Sequence, residues 1–248
     1  MKQKKIEEKT KNYSLYPMRI NKYLAQNKHS TRRGADELIA KKQVFINGRL
    51  AILGDKIGEK DTVEVRFRGK PKEYVYFAYN KARGVITHSP QHGQKDIRQD
   101  IKHSVNLKDV FPMGRLDKDS HGLIILTNDG RITDKLLNPK YEHEKEYLVE
   151  TREKIRLNFK ERMEAGVNIE GYITKKCKVK VLGERSFKVT LTEGKKHQIR
   201  RMVVALFNDV VDLKRTKIMN IELGNIPPGS YKAILGKDLQ IFLACLGI

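Results

Sequence analysis

The chain has little cysteine and no long apolar run, and both absences narrow its class. Cys177 and Cys245 are its only cysteines among 248 residues, too few for a disulfide framework and without the spacing of metal ligands. The seven histidines are scattered, with no His-x-x-x-His pattern on a plausible helix, so we expect no bound metal. No apolar run approaches the roughly 18 residues that a membrane-spanning helix requires.

The first residues of the chain also lack a targeting pattern. The opening MKQKKIEEKTKN is charged and has no apolar stretch behind it, unlike a secretory signal. With no spanning helix, no signal and cysteines that suit a reducing compartment, the sequence predicts a soluble cytoplasmic protein that does not bind membranes.

Acidic residues are in short supply relative to basic ones. Asp and Glu total 30 against 51 Lys and Arg, a formal charge of +21 with a pI of about 9.8. The excess is densest in residues 1–72, which hold 19 basic and 8 acidic residues, a net of +11. So large an excess predicts a polyanionic partner, and nucleic acid is the partner we favour. The alternative is an ordinary set of solvated, lysine-rich faces.

The N-terminal third has the pattern of a small separate module. From Met18 the apolar residues recur at helical spacing, and a second helix is expected to begin near Ser30-Thr31, where a hydroxyl can cap free N–H groups. A strand then runs into Asn47-Gly48, a pair that favours a tight hairpin turn. The predicted order is a flexible basic tail (1–17), a small module of helices and strands (18–67), a linker (68–73) and a larger domain of alternating strands and helices (74–248).

This module resembles the S4 RNA-binding domain. The matching residues are Arg19-x-Asn21-Lys22-x-Leu24, Ser30-x-Arg32-Arg33-x-Ala35-Asp36 and Val44-x-Ile46-Asn47-Gly48. One departure is Lys42, where the family commonly has glycine before the strand, which bears on the turn geometry there. The resemblance implies binding of structured RNA, and each candidate below could instead belong to a solvated helix face. The candidate phosphate contacts are Arg19, Lys22, Arg32 and Arg33.

The most informative stretch runs from Met113 to Gly130 and reads MGRLDKDSHGLIILTNDG. A polar turn containing Asp117 is followed at once by the apolar run Leu123 to Leu126, which predicts a buried strand between turns. This layout places a carboxylate on a rigid edge of a sheet, where a reacting group can be held. Taken alone, an Asp in a turn is usually a cap or a solvated side chain, and those are the roles expected for Asp119 and Asp129.

Two later segments add side chains with useful chemistry. Residues 193–202 read EGKKHQIRRM, where Gly194 is expected to let the backbone turn and Arg200 to lie on the helix that follows. Residues 144–149 read EKEYLV, and alternation places Tyr147 on one face of a strand. The plainest roles would be an exposed helix cation for the arginine and core packing for the tyrosine. The apolar stripe of the helix is Ile199, Met202, Val203 and Leu206.

These segments together resemble the bacterial pseudouridine synthases. The resemblance implies that Asp117 is the catalytic residue, that Arg200 pairs with it, and that Tyr147 stacks on the uracil and helps to remove the C5 proton. Pseudouridine formation breaks the N1–C1′ bond of uridine and rejoins the base through C5. Because this isomerisation involves no net redox change, it requires neither a metal nor an organic cofactor. An ionised carboxylate can stabilise or attack C1′ as positive character develops there, and a nearby arginine favours the ionised form.

Other residues of the catalytic segment would contact RNA or depart from the family pattern. The synthases usually have proline at the position of Ala82, and Asn-Arg is common at the position of Lys196-His197, so loop order and substrate contacts are expected to differ there. The further candidate RNA contacts are Arg115, Lys118, Lys195, Arg201 and Arg215.

The resemblance extends from Met18 to Leu235 and is greatest to the large-subunit (23S) ribosomal RNA pseudouridine synthases of F type, in the group that carries an S4 domain. It implies an α+β fold: a small N-terminal S4 module, and a catalytic domain built on a long, mostly antiparallel sheet with flanking helices and a central cleft. It also implies a uridine flipped out of 23S ribosomal RNA near the peptidyl transferase region.

The resemblance leaves the substrate range open, because a tRNA anticodon uridine is a possible second substrate. We expect the protein to be a monomer.

Two alternative functions stay open at this point. One alternative is a sister synthase that acts on another uridine. The other is a non-catalytic RNA-binding factor in ribosome assembly, although such a factor would have no chemical need for Asp117, Tyr147 and Arg200 together.

Overall fold

The computed structural model describes residues 16–27, 29–66, 73–87, 95–101, 107 and 109–248. Most of the predicted tail and of the predicted linker therefore lies outside the described residues. The chain divides into two compact units, one up to Lys72 and the other from Glu73 onwards. Within the described ranges, no helix is both long and apolar enough to cross a bilayer.

The first unit contains the two short helices that the sequence predicted. The second begins at the expected hydroxyl cap, because Oγ1 of Thr31 accepts a hydrogen bond from the N–H of Gly34 at 2.9 Å. Each helix buries one apolar stripe against the small sheet, which accounts for their helical spacing of apolar residues. The helices are α1 (Ile20–Gln26) and α2 (Arg32–Ala40), and the buried core is Met18, Ile20, Leu24, Ala35, Ile39, Val44, Ile46, Ala51 and Ile57.

The sheet of this unit forms around the predicted Asn-Gly hairpin. Asn47 and Gly48 both have positive φ, 50° and 81°, as a two-residue turn of this kind requires. Lys42 also has a positive φ, 55°, which explains why glycine suits that position in the S4 family. The strands are β1 (Met18–Arg19), β2 (Val44–Ile46), β3 (Arg49–Leu50), β4 (Lys56–Ile57) and β5 (Val63–Val65), paired in the orders β3-β2-β5 and β1-β4.

The second unit is built on a nine-stranded sheet. Its main path follows the order β12-β13-β9-β14-β8-β6-β16, with β15 paired to β14 and β7 paired to β8. Among the described strands only β14 and β8 pair in parallel, so the predicted mostly antiparallel sheet is confirmed. The strands of this sheet are β6 (Tyr76–Lys81), β7 (Phe111–Met113), β8 (His121–Thr127), β9 (Lys145–Thr151), β12 (Lys178–Gly183), β13 (Ser186–Leu191), β14 (Val210–Ile218), β15 (Ile221–Glu222) and β16 (Tyr231–Ala233), while β10 (Asn168–Ile169) and β11 (Tyr172–Ile173) form a separate two-stranded sheet.

Helices flank this sheet, and one of them faces the strand that carries Tyr147. Tyr147 and Val149 lie opposite Val189 and Phe187 on β13, so all four share one face. The predicted apolar stripe of the sixth helix packs into the cluster on that face, which fixes the helix against the sheet. The helices are α3 (Ile97–Ile101), α4 (Thr133–Leu137), α5 (Phe159–Glu164), α6 (Gln198–Ala205) and α7 (Gly236–Cys245).

Strand β8 occupies the interior of the sheet, between β14 and β6. Leu123, Ile124, Ile125 and Leu126 are all fully buried, as expected for a strand that is covered on both faces. The predicted buried strand is therefore confirmed, and it is an interior strand rather than an edge strand. The strand before it, β6, begins at Tyr76 and is rich in aromatic residues.

The parallel contact between β8 and β14 is unusually close at one residue. Gly122 lies opposite Arg215, and a Cβ atom on Gly122 would stand only 2.4 Å from the carbonyl oxygen of Arg215. Gly122 also has a φ of +102°, which other residues rarely adopt. Only glycine therefore permits the two strands to approach at this point.

We expect Gly122→Ala to lower the free energy of unfolding by about 3 kcal/mol, because a backbone clash adds to an unfavourable φ. Gly171→Ala is the matched control, since Gly171 has a φ of +85° and open space around it, and it should cost only about 1 kcal/mol. Chemical denaturation followed by circular dichroism measures both. Equal losses in the two variants would show that β8 and β14 can separate without cost.

Candidate active site

Asp117 lies in the turn that connects β7 to β8. The turn is closed by a hydrogen bond from the N–H of Ser120 to the carbonyl oxygen of Asp117 at 3.1 Å. The side chain of Asp117 is 42% exposed, so a ligand can reach the carboxylate. The expected rigid support is present, but it comes from the end of an interior strand instead of the edge of the sheet.

Residues of the segment that follows β6 form hydrogen bonds to the backbone of this turn. The buried hydroxyl of Thr87 donates to the carbonyl oxygen of Leu116 at 2.8 Å and accepts from its N–H at 3.1 Å. The N–H of Gly84 donates to the carbonyl oxygen of Lys118 at 2.8 Å. Because these bonds lie on both sides of Asp117, they restrict where its side chain can point.

A fully buried lysine, Lys81 at the end of β6, adds to this support. Its Nζ donates to the carbonyl oxygens of Val85 at 2.6 Å, Ala82 at 3.1 Å and Lys118 at 3.4 Å. Burial lowers the pKa of Lys81 to about 8, and the negative charge of Asp117 acts in the opposite direction. Sequence reasoning missed this residue. The available signal was a lysine that continues an aromatic strand.

The ion partner of Asp117 is His197, just before α6. Its Nε2 lies 3.5 Å from Oδ1 of Asp117, and the pair carries opposite charges only when the imidazole is protonated. His197 also has the left-handed backbone, with a φ of 52°, that lets the chain enter the helix. The sequence had assigned that turn to Gly194, which does not have a positive φ.

Arg200 contacts the turn that carries Asp117, but it does so through Ser120 and not through the Asp117 carboxylate. Its Nη1 donates to the carbonyl oxygen of Val210 at 3.2 Å, and its Nη2 donates to Oγ of Ser120 at 3.5 Å. Across the described residues, Asp117 forms an ion pair with His197 and none with Arg200. The expected direct pair is therefore absent here, because the guanidinium is turned towards the start of β14.

Tyr147 is half-buried on β9, directly opposite Arg215 on β14. Its ring packs against the cluster that includes Ile199 of α6 and also against the cluster that includes Leu116, next to Asp117. The ring thus lies between the helix that carries Arg200 and the turn that carries Asp117. Packing and base stacking are both compatible with this position.

Arg215 requires a correction, because it was expected to contact RNA. It is only 3% exposed, and its Nε donates to the carbonyl oxygen of Leu123 at 2.7 Å. Its Nη1 donates to the carbonyl oxygen of Arg115 at 3.4 Å. A side chain buried between two strands is not presented to a surface ligand, so its partners are the protein backbone.

The other predicted RNA contacts of the second unit differ in their exposure and in the contacts that they make within the protein. Arg115 and Lys118 are exposed beside Asp117. Lys195 is exposed with its Nζ 4.5 Å above the ring of Tyr172. Arg201 is half-buried, and its Nη2 donates to the carbonyl oxygen of Ile169 at 2.9 Å and to the Glu170 carboxylate at 2.8 Å.

In the N-terminal unit the predicted phosphate contacts come together. Arg19, Lys22 and Arg32 line one shallow pocket of about 280 Å³ at the start of α1 and α2. Arg33 is exposed on the same helix but does not line this pocket. Three cations around one concave surface can hold a phosphate group.

Comparison with known proteins agrees with this arrangement. Residues 75–205 match the family model described as RNA pseudouridylate synthase, and residues 18–63 match the S4 domain. The chain is 41% identical over 225 residues to the dual-specificity RNA pseudouridine synthase RluF of Salmonella typhi, covering 89% of this chain and 77% of that protein. It is 32% identical over 230 residues to the ribosomal large subunit pseudouridine synthase B of Bacillus subtilis (strain 168), covering 90% and 94%.

A solved structure shows the same fold. The crystal structure of a pseudouridylate synthase matches with a TM-score of 0.67 and 29% identity, covering 92% of this chain and 99% of that one. The predicted S4 module and the predicted synthase fold are therefore both confirmed. With the synthase model matching more than half of its length, the chain belongs to the RNA pseudouridylate synthase family and is an isomerase that carries an S4 domain.

Proposed function

We propose that this chain isomerises a uridine of large-subunit (23S) ribosomal RNA to pseudouridine, with Asp117 as the nucleophile. The observation that carries the proposal is the convergence of three elements on one turn. Asp117 lies in the turn before β8, Arg200 reaches Ser120 of the same turn from α6, and Tyr147 packs against the apolar cluster that includes Leu116. The identity to a dual-specificity RNA pseudouridine synthase over most of the chain supports the choice of reaction.

The chemistry assigns one task to each side chain. The ionised carboxylate of Asp117 attacks C1′ as the N1–C1′ bond breaks, and the detached uracil takes the electron pair. The base turns, C5 forms the new bond to C1′ as the bond between C1′ and the Asp117 carboxylate breaks and frees the carboxylate, and the C5 proton leaves while N1 gains a proton. Tyr147 holds the flipped base by stacking and is placed to assist the removal of that proton.

The S4 unit would hold the RNA rather than react with it. Arg19, Lys22 and Arg32 surround one pocket, and phosphate contacts fix the position of a protein without reading sequence. We assign the target to the peptidyl transferase region of 23S ribosomal RNA. A tRNA uridine is the second candidate, favoured by the dual specificity in the name of the Salmonella relative.

Asp117→Ala should reduce single-turnover pseudouridine formation by at least about 10³-fold, because no other group can take over nucleophilic attack. Carbodiimide labelling and primer extension on unmodified 23S ribosomal RNA measure the product, and filter binding measures affinity. RNA affinity should stay within about twofold of wild type, since the carboxylate makes no phosphate contact.

Asp119→Ala is the control for this experiment, because Asp119 is an exposed carboxylate of the same turn. It should retain wild-type activity. An active Asp117→Ala enzyme would end the nucleophile assignment. If wild-type protein bound the RNA tightly and formed no product on 23S, 16S or transfer RNA, the assembly-factor alternative would replace the proposal.

The triple variant Arg19→Gln/Lys22→Gln/Arg32→Gln should weaken RNA binding and lower its salt dependence. Each lost phosphate contact reduces the slope of log affinity against log salt by about 0.9, so three contacts reduce it by about 3. Binding titrations at several salt concentrations measure the slope. The control is Lys41→Gln/Lys42→Gln/Lys60→Gln, which removes three exposed cations outside the pocket. Equal effects in the two variants would show that the pocket is not the docking site.

A further inference from the structure

Two cations, Lys81 and Arg215, bond to the backbone of the turn that carries Asp117, and a third, Lys145, lies close enough to Arg215 for their charges to interact. Lys81 and Arg215 are buried and Lys145 is half-buried. In the described part of the chain, none of the three forms an ion pair with a carboxylate. Burying an unpaired charge costs free energy, so stability alone does not account for this arrangement.

Arg215 forms hydrogen bonds to the backbone on both sides of Asp117. Arg115 lies just before Asp117 in the chain, and Leu123 lies just after the turn. The guanidinium of Arg215 bonds to the carbonyl oxygens of both, at 3.4 Å and 2.7 Å. A guanidinium is rigid and planar, so bonding two carbonyls fixes the distance between them.

The position of this guanidinium depends on the parallel pairing of the strands. Arg215 lies opposite Gly122, where the strands approach most closely. The remaining nitrogen, Nη2, is buried and has no hydrogen-bond partner among the described residues. A buried donor that forms no hydrogen bond is unfavourable for folding. The protein thus accepts a loss of stability to keep a complete guanidinium at this place.

The two lysines of the group are weaker candidates for the same task. Burial lowers the pKa of Lys81 to about 8, and burial together with the charge of Arg215 lowers the pKa of Lys145 to about 8. An arginine keeps its proton throughout this range. Arg215 is therefore the member of the group whose charge and hydrogen bonds persist at every working pH.

We propose that Arg215 is a positioning residue for catalysis: its guanidinium ties together the two backbone segments that flank Asp117 and so holds the carboxylate in its reactive place. This inference rests on the proposed role of Asp117 as the nucleophile. It assigns Arg215 to the protein backbone and removes it from the RNA-contacting surface.

The test compares Arg215→Lys with Lys214→Gln. In Arg215→Lys, the introduced lysine keeps the positive charge but lacks the planar, two-pronged guanidinium. Lys214→Gln is the control, because Lys214 is the residue next to Arg215 and lies on the opposite face of β14. Arg215→Lys should lower the single-turnover rate by about 100-fold, because a displacement of about 1 Å has an effect of that size. RNA affinity should remain within about twofold, and Lys214→Gln should keep the wild-type rate.

A second variant separates positioning from general loss of stability. Ile125→Val removes one buried methyl group from β8 and so lowers stability slightly, without touching the turn. It should keep the wild-type rate. A wild-type rate in Arg215→Lys would overturn the proposal, and so would a rate loss that merely follows the loss of stability across the three variants.

A local measurement reads the turn without using activity. The N–H of Ser120 is bonded to the carbonyl oxygen of Asp117, so its hydrogen exchange reports opening of the turn. Exchange should become about tenfold faster in Arg215→Lys and stay unchanged in Lys214→Gln. Unchanged exchange in Arg215→Lys would overturn the positioning role. If Asp117→Ala instead proved active, the nucleophile assignment would fail while this measurement still reported on Arg215.

Discussion

The site depends on the close parallel approach of β8 and β14 at Gly122. That contact joins β8, which follows the turn that carries Asp117, to the strands that include Tyr147. It also brings Arg215 next to the backbone of that turn. A single added methyl group at Gly122 would meet the backbone of the neighbouring strand. The geometry of the proposed reacting groups is therefore set by a backbone contact, with side chains placed by the strand register.

The electrostatics of the turn are divided between buried and exposed groups. Lys81 and Arg215 bind backbone carbonyls from below, and His197 faces the carboxylate from the exposed side. An exposed ion pair at 3.5 Å is weak, whereas buried hydrogen bonds from a charged donor are strong. The position of Asp117 thus owes more to the buried cations than to its direct ion partner.

The proposed mechanism assigns RNA binding and chemistry to separate units of the chain. The S4 unit gathers Arg19, Lys22 and Arg32 around one pocket, and it has its own apolar core. The synthase unit carries Tyr147 on β9 and Asp117 in the turn between β7 and β8. Phosphate contacts depend on charge and tolerate substitution, while the reacting groups depend on fixed distances. This difference explains why the two tasks suit two independent cores.

The sequence by itself determined the parts of the protein that follow from local patterns. The buried strand at Leu123 to Leu126, the stripe of α6, the Asn47-Gly48 hairpin and the turn containing Asp117 all depend on residues close together in the chain. Only the tertiary structure decided that Arg215 is buried and that Arg200 bonds to the turn through Ser120. Those partners lie 80 or more residues apart in sequence, and strand register, which no local pattern encodes, brings them together.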